Sequence, residues 1–269
     1  MGIIIDNHTF NLYESWRKGP KGKAMDQFIE DTFPRLVQPL HRERILDIGC
    51  GSGNNLLFFN KLGLDITGLD ASPYMINIAR KRLGNSCLLK KGQAEDLPFD
   101  DNEFDVAVLI NTLEFLDDPI KALREAGRVA KRKVFICVLN NISWYCLCSK
   151  IEGIFHETFI RSLRLYNLWE LKSYIRSIYG TSPIAWCSEK LVPRSISRLS
   201  GFIPGWSINS LPIGSFLGLS VRIEYRFKTE NIPLKVRLKS TGHSIAGGVT
   251  NRGTISNEKD TFHERSLSI

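Results

Sequence analysis

The densest chemistry in the sequence lies in Asp47-Ile48-Gly49-Cys50-Gly51-Ser52-Gly53-Asn54, where three glycines alternate with other residues just behind an acidic one. Glycine tolerates the unusual backbone angles of a tight turn and lets a ligand approach the main chain closely. A helix opening at Asn54 adds unpaired N–H groups at the same spot. Two acidic positions follow at useful spacings. Asp70 stands 17 residues after Gly53, and Glu95 and Asp96 lie in the run Ala94-Glu95-Asp96-Leu97-Pro98-Phe99. In doubly wound folds, an acidic side chain ending the second strand accepts hydrogen bonds from ribose hydroxyls. The competitors of this loop do not fit. A dinucleotide fingerprint has glycine where Asn54 stands, and a P-loop ends in a Gly-Lys-Ser/Thr that is absent here.

These residues need a scaffold that brings strand ends together, and the hydrophobic pattern supplies one. Short apolar runs at Arg44–Gly49, Asp65–Leu69, Cys87–Leu89, Phe104–Ile110 and Val134–Leu139 read as strands. Helical spacing fills the gaps: Asn54–Leu62 stopped by Gly63, a helix capped by Ser72-Pro73 and closed by Gly84, and another opened by Asp118-Pro119. Strand and helix in alternation predict right-handed βαβ units and a parallel sheet. A helix is expected at Met25–Val37 within an otherwise mixed N-terminus, and another near Leu168–Ile178. Ile184–Glu189 and Leu219–Phe227 read as two further strands.

The chain has 269 residues, 43% hydrophobic and 24% charged, which excludes a wholly disordered or low-complexity protein. The net charge of +8 is unevenly placed. Residues 1–139 hold 19 basic and 19 acidic residues, whereas 140–269 hold 17 and 9. A uniformly basic nucleic-acid-binding domain is therefore the wrong picture. The six cysteines form no CxxC pair and no secreted-scaffold spacing, so reduced thiols and no metal centre are expected. No stretch reaches the length of a transmembrane segment, and no signal sequence is evident, which predicts a cytoplasmic protein.

Taken in order, DIGCGSGN, GLDAS, AEDLPF and FDVAVLINTLEFLDDP resemble the successive motifs of class I S-adenosylmethionine-dependent methyltransferases, and of the type 11 methyltransferase group within them. The resemblance runs over about residues 12–139. It implies a Rossmann-like three-layer α/β/α sandwich, with a seven-stranded, mostly parallel sheet whose last strand is antiparallel. It implies S-adenosyl-L-methionine as cofactor. Asp47, Gly49, Gly51 and Gly53 would then surround the methionine part of the cofactor, and Asp70 would hold the ribose. Ala71 and Met75 would flank the adenine, Glu95, Asp96 and Leu97 would meet its edge, and Asn111 and Thr112 would lie near the sulfonium. Tyr13 and Trp16 resemble an aromatic segment that folds over the cofactor in relatives. Plainer readings stay open: Asp47 as a cap of the glycine turn, Met75 as core, Tyr13 and Trp16 as anchors of a helix on the sheet.

The resemblance divides the chain into an N-terminal cap over residues 1–43, a core over 44–228 with substrate-side insertions near 140–165 and 191–218, and a polar tail over 229–269 that its composition predicts to be mobile. The first insertion is aromatic, apolar and basic together, which suits an apolar or anionic small-molecule acceptor. Methyl transfer asks mainly for alignment of the acceptor with the methyl carbon, and no side chain stands out as a base. A non-catalytic S-adenosylmethionine-binding protein remains the principal alternative. RNA methylation ranks below it, since no appended RNA-binding motif is present.

Overall fold

A computed structural model describes residues 7–143, 163–189 and 211–223, all within one compact unit spanning Met1–Arg226. Seven strands form one sheet: β1 (Arg44–Ile48), β2 (Asp65–Asp70), β3 (Leu88–Lys91), β4 (Phe104–Ile110), β5 (Ala130–Leu139), β6 (Ile184–Ser188) and β7 (Phe216–Arg222). Their order is β3-β2-β1-β4-β5-β7-β6, parallel through β5, with β7 antiparallel to both of its neighbours. The order reverses between β1 and β4, which opens a crevice at their carboxyl ends.

Both faces of the central strands are buried, which is why β1, β4 and β5 read as continuous apolar runs. Alternate residues serve opposite layers. Leu46 and Ile48 of β1 join one core with Leu123 and Ala126 of a helix at Pro119–Val129 (α5) and Leu171 and Ile175 of a helix at Leu168–Tyr179 (α6). Ile45 joins the other, against α2 (Pro20–Val37), α3 (Asn54–Lys61) and α4 (Pro73–Leu83). The expected caps form: the Ser72 hydroxyl accepts from the Met75 N–H at 3.3 Å, and Asp118 Oδ1 accepts from the Lys121 N–H at 2.9 Å.

Several boundaries differ from the sequence expectation. The N-terminus holds two helices, α1 (Asn7–Lys18) and α2, and α2 begins at Pro20 rather than Met25 because Gly19-Pro20 starts a new helix in place. β3 lies at Leu88–Lys91, and β7 lies earlier than Leu219–Phe227, because the fully buried run is Phe216–Val221. The insertion expected near 191–218 therefore ends before β7. Only β7 runs antiparallel; β6 points with the other strands. The parts of the insertions at 144–162 and 190–210, and the tail from 224, lie outside the described residues.

The second half of α2 is tied to the sheet. Gly218 of β7 sits where an added Cβ would come 2.8 Å from the Thr32 side chain, so its lack of a side chain lets α2 lie close on the sheet. At the carboxyl end of α2, Lys133 Nζ donates to the carbonyls of Leu36 and Val37 at 3.0 and 2.8 Å, satisfying groups a helix end leaves open.

Candidate functional site

At Ile48 the chain leaves β1 and passes through Gly49, Gly51 and Gly53, all at positive φ, before α3 begins. The amides of Gly49 and Cys50 both donate to the Leu69 carbonyl, at 2.7 and 2.9 Å, which fastens the loop to β2. Gly49 and Gly51 need glycine for different reasons. An added Cβ at Gly49 would meet the Thr112 side chain at 2.5 Å, so glycine permits the tips of β1 and β4 to interlock. At Gly51 an added Cβ would meet nothing within 4 Å, since that side of the loop faces open space.

That space is a cavity of about 420 Å³ at the carboxyl ends of β1, β2 and β4. The structure brings Tyr13, Gly49, Gly51, Asp70, Ala71, Met75, Glu95, Asn111 and Thr112 to its wall. The remaining expected positions do not line it. Gly53 caps α3 and faces Ala79 and Leu83 of α4. Asp96 is exposed on a turn whose N–H donates to the Gln93 carbonyl at 3.3 Å. Leu97 is buried in the core beneath α5. Trp16 lies against a smaller recess beside the cavity. Asp47 sits beneath the loop, fully buried, and neither carboxylate oxygen has a hydrogen-bond partner among the described residues.

Two neighbouring acids dominate the electrostatics. Asp70 braces the loop: Oδ2 accepts from the Gly51 N–H and Oδ1 from the Ser72 N–H, each at 2.8 Å. Burial raises its pKa nonetheless, with the two N–H bonds working the other way. For Asp47, burial and then the charge of Asp70 push the pKa up to about 7, opposed by the Arg17 guanidinium. Arg17 is itself 9% exposed, bonded to Asp26 Oδ1 at 2.7 Å and to the Tyr13 hydroxyl at 3.3 Å, and it lines the cavity.

Sequence reasoning missed Arg17 and Gln93 on the cavity wall, and read as packing and as a helix cap two further wall residues, Phe115 and Ser72. Arg17 had a usable signal, because it lies four residues after Tyr13 and so on the same helical face. The other end of the site holds polar groups without partners. Asn111 has φ +49, and its N–H donates to the Cys137 carbonyl at 2.8 Å, while its Oδ1 is buried without a partner among the described residues. Glu114 is 2% exposed; its Oε1 accepts from the Leu139 N–H at 2.8 Å and its Oε2 accepts from nothing among the described residues. Burial pushes the Glu114 pKa up to about 7 against that N–H bond.

Residues 46–138 match a family described as a methyltransferase domain. A demethylmenaquinone methyltransferase from Thermotoga maritima is 37% identical over 134 residues, covering 49% of this chain and 52% of that relative. A sterol 4-C-methyltransferase from Caenorhabditis elegans is 32% identical over 139 residues, covering 49% of this chain and 42% of that relative. The chain spans about half the length of the curated relatives it matches. A solved S-adenosylmethionine-dependent methyltransferase from Thermotoga maritima superposes with a TM-score of 0.59 at 24% identity, covering 81% of this chain and 97% of that one, and shows the Rossmann-like fold to be shared.

Proposed function

We propose that the chain, whose residues 46–138 match a methyltransferase domain, transfers the methyl group of S-adenosylmethionine to a small, apolar organic acceptor. The observation that carries the reading is the glycine loop. Its middle glycine opens onto the cavity with clear space before it, between an orphaned carboxylate and a braced one.

The residues present fit such a cofactor. Asp70 uses one lone pair on each oxygen to hold the loop, and a carboxylate has more to offer ribose hydroxyls. Asp47, buried beneath the loop and without a hydrogen-bond partner among the described residues, would place its charge behind an ammonium group, and Arg17 on the cavity wall has the chemistry to receive a carboxylate. Ala71 and Met75 provide an apolar wall for a purine, with Glu95 at its polar edge. Asn111 and Thr112 border the reacting end. Bound there, the cofactor supplies a methyl group on a positive sulfur whose departure leaves a neutral thioether. What remains for the protein is to desolvate and align the acceptor, and α1 closes this side of the cavity with Tyr13 and Arg17.

The apolar acceptor class is supported by the relatives named for a quinone-type and a sterol acceptor. Methyl-labelled S-adenosylmethionine incubated with the protein and solvent-extracted cell fractions tests the proposal. Label is expected in an apolar product. Cofactor binding without labelled product in any fraction would reject transfer, and tight NAD binding without binding of either sulfur ligand would reject the cofactor.

A further inference from the structure

We infer that Glu14 is a positioning residue, which latches α1 to the glycine loop and to α4 and so sets how fast S-adenosylhomocysteine leaves the cavity. The inference rests on the methyl-transfer reading above and adds a gate to that site.

Glu14 stands behind the cavity wall, not on it. Tyr13 and Arg17 of the same helix line the cavity, as do Ser52 and Asn54 of the loop, whereas neither Glu14 nor Arg82 does. Glu14 Oε1 accepts from the Ser52 hydroxyl at 3.4 Å and lies 4.0 Å from Nη2 of Arg82, in the last turn of α4. The Glu14 side chain is 13% exposed, so water competes little for it. Its other oxygen is 3.5 Å from Nζ of Lys18, an exposed pair of the kind that contributes little. One carboxylate thus reaches from α1 to two other elements.

The Ser52 hydroxyl sets the direction of these bonds. Ser52 is buried, and its oxygen accepts from Asn54 Nδ2 at 3.1 Å and from Arg82 Nη1 at 3.2 Å. A hydroxyl has two lone pairs and one proton. Both lone pairs are taken, so the proton needs an acceptor, and Glu14 supplies it. Arg82 also donates to Asn54 Oδ1, which closes the cluster. Removing Glu14 would leave a buried donor unmatched, a cost that falls on the closed position of α1.

Holding Glu14 also fixes the face that α1 turns to the cavity. Tyr13 and Arg17 are four residues apart and share one side of the helix, with Glu14 about 100° round from Tyr13. The carboxyl end of α1 is held separately, because Arg17 pairs with Asp26 of α2 at 2.7 Å and an added Cβ at Gly22 would overlap the Arg17 carbonyl. Glu14 adds a hold nearer the amino end. At 3.4 and 4.0 Å its contacts are long, which suits a latch that must open. Release of product through such an opening is a step that commonly limits turnover.

Release of labelled S-adenosylhomocysteine, chased by excess unlabelled ligand, tests the latch in the native protein and in Glu14→Ala, Glu14→Gln and Arg82→Ala. Glu14→Ala is expected to speed release about fivefold, and Glu14→Gln about twofold, since glutamine keeps an acceptor for Ser52 and loses the charge facing Arg82. On top of Arg82→Ala, Glu14→Gln should add nothing, because the charge it removes has already lost its partner. Hydrogen exchange of the ligand-free protein gives the second readout. Amides of α1 should exchange faster in Glu14→Ala, while those of α2 and the sheet keep native rates. Unchanged release in Glu14→Ala would overturn the latch. So would faster release with α1 exchanging at its native rate, or with exchange raised throughout the fold, which marks general loosening. Failure of the native protein to bind S-adenosylhomocysteine would instead overturn the methyl-transfer reading beneath it.

Discussion

Asp47 and Asp70 stand near the tips of adjacent strands, and their surroundings are opposite. Asp70 is held by two amides of the chain itself, whereas Asp47 is wholly buried and held by none among the described residues. One acid is part of the loop's own hydrogen bonding, and the other is not. The difference separates two duties of a binding site. Asp70 shapes the loop, and under the proposed function Asp47 would lend its charge to a cationic group held above it.

The largest effect that can break this comparison is a pH dependence. Asp47 has its pKa raised to about 7 from an ordinary 3.8, so the folded chain holds that proton more tightly than the unfolded chain. Stability from this group is full below about pH 4 and is lost as pH rises through about 7, in total on the order of 4 kcal/mol. Urea unfolding across this range should show the decline, and Asp47→Asn should flatten it. Glu114 leaves a residual slope of the same sign. Saturating S-adenosylmethionine should also flatten the native slope, and a slope untouched by ligand would deny Asp47 its cationic partner.

Next in size is Asp70→Ala. It frees the Gly51 and Ser72 amides and removes a hydroxyl acceptor, so S-adenosylhomocysteine binding should weaken by about 1–3 kcal/mol in calorimetry. Unchanged affinity would reduce Asp70 to a brace. The smallest effect concerns Thr112, whose hydroxyl donates to the Ile48 carbonyl at 2.8 Å and joins the tips of β1 and β4. Thr112→Val should lower stability by about 1 kcal/mol. A much larger loss of ligand affinity than of stability would move Thr112 from the scaffold to the binding surface.

How much of this was legible in the sequence follows from the range of each interaction. The glycine loop, the acid ending β2 and the caps of α4 and α5 are written within a few residues, and they form where the pattern places them. Asp96 and Leu97 show where a local motif stops being enough. The turn at Gln93 and the core under α5 take them away from the cavity that Glu95 borders. Glu114 falls within the motif FDVAVLINTLEFLDDP, but its burial is set from elsewhere in the chain. It is enclosed by distant chain, with the Arg164 amide on its carbonyl and the Tyr166 hydroxyl on the carbonyl of Leu113 at 3.0 Å. The reach of α1 into the site is likewise tertiary, apart from the spacing of Tyr13 and Arg17.

The close seat of α2 on β7 has a consequence for assembly. Phe28 and Thr32 rest on Phe216 and Gly218, so a helix made early leans on a strand made late. Such long-range pairing slows folding, and during synthesis it leaves the apolar face of α2 waiting for its shelf. Since α1 adjoins α2 across Gly19, the wall bearing Tyr13 and Arg17 settles only once β7 has entered the sheet. Any binding that draws on this wall would then be coupled to completion of the sheet, and a ligand favouring the finished fold would also favour the seating of α2 on β7.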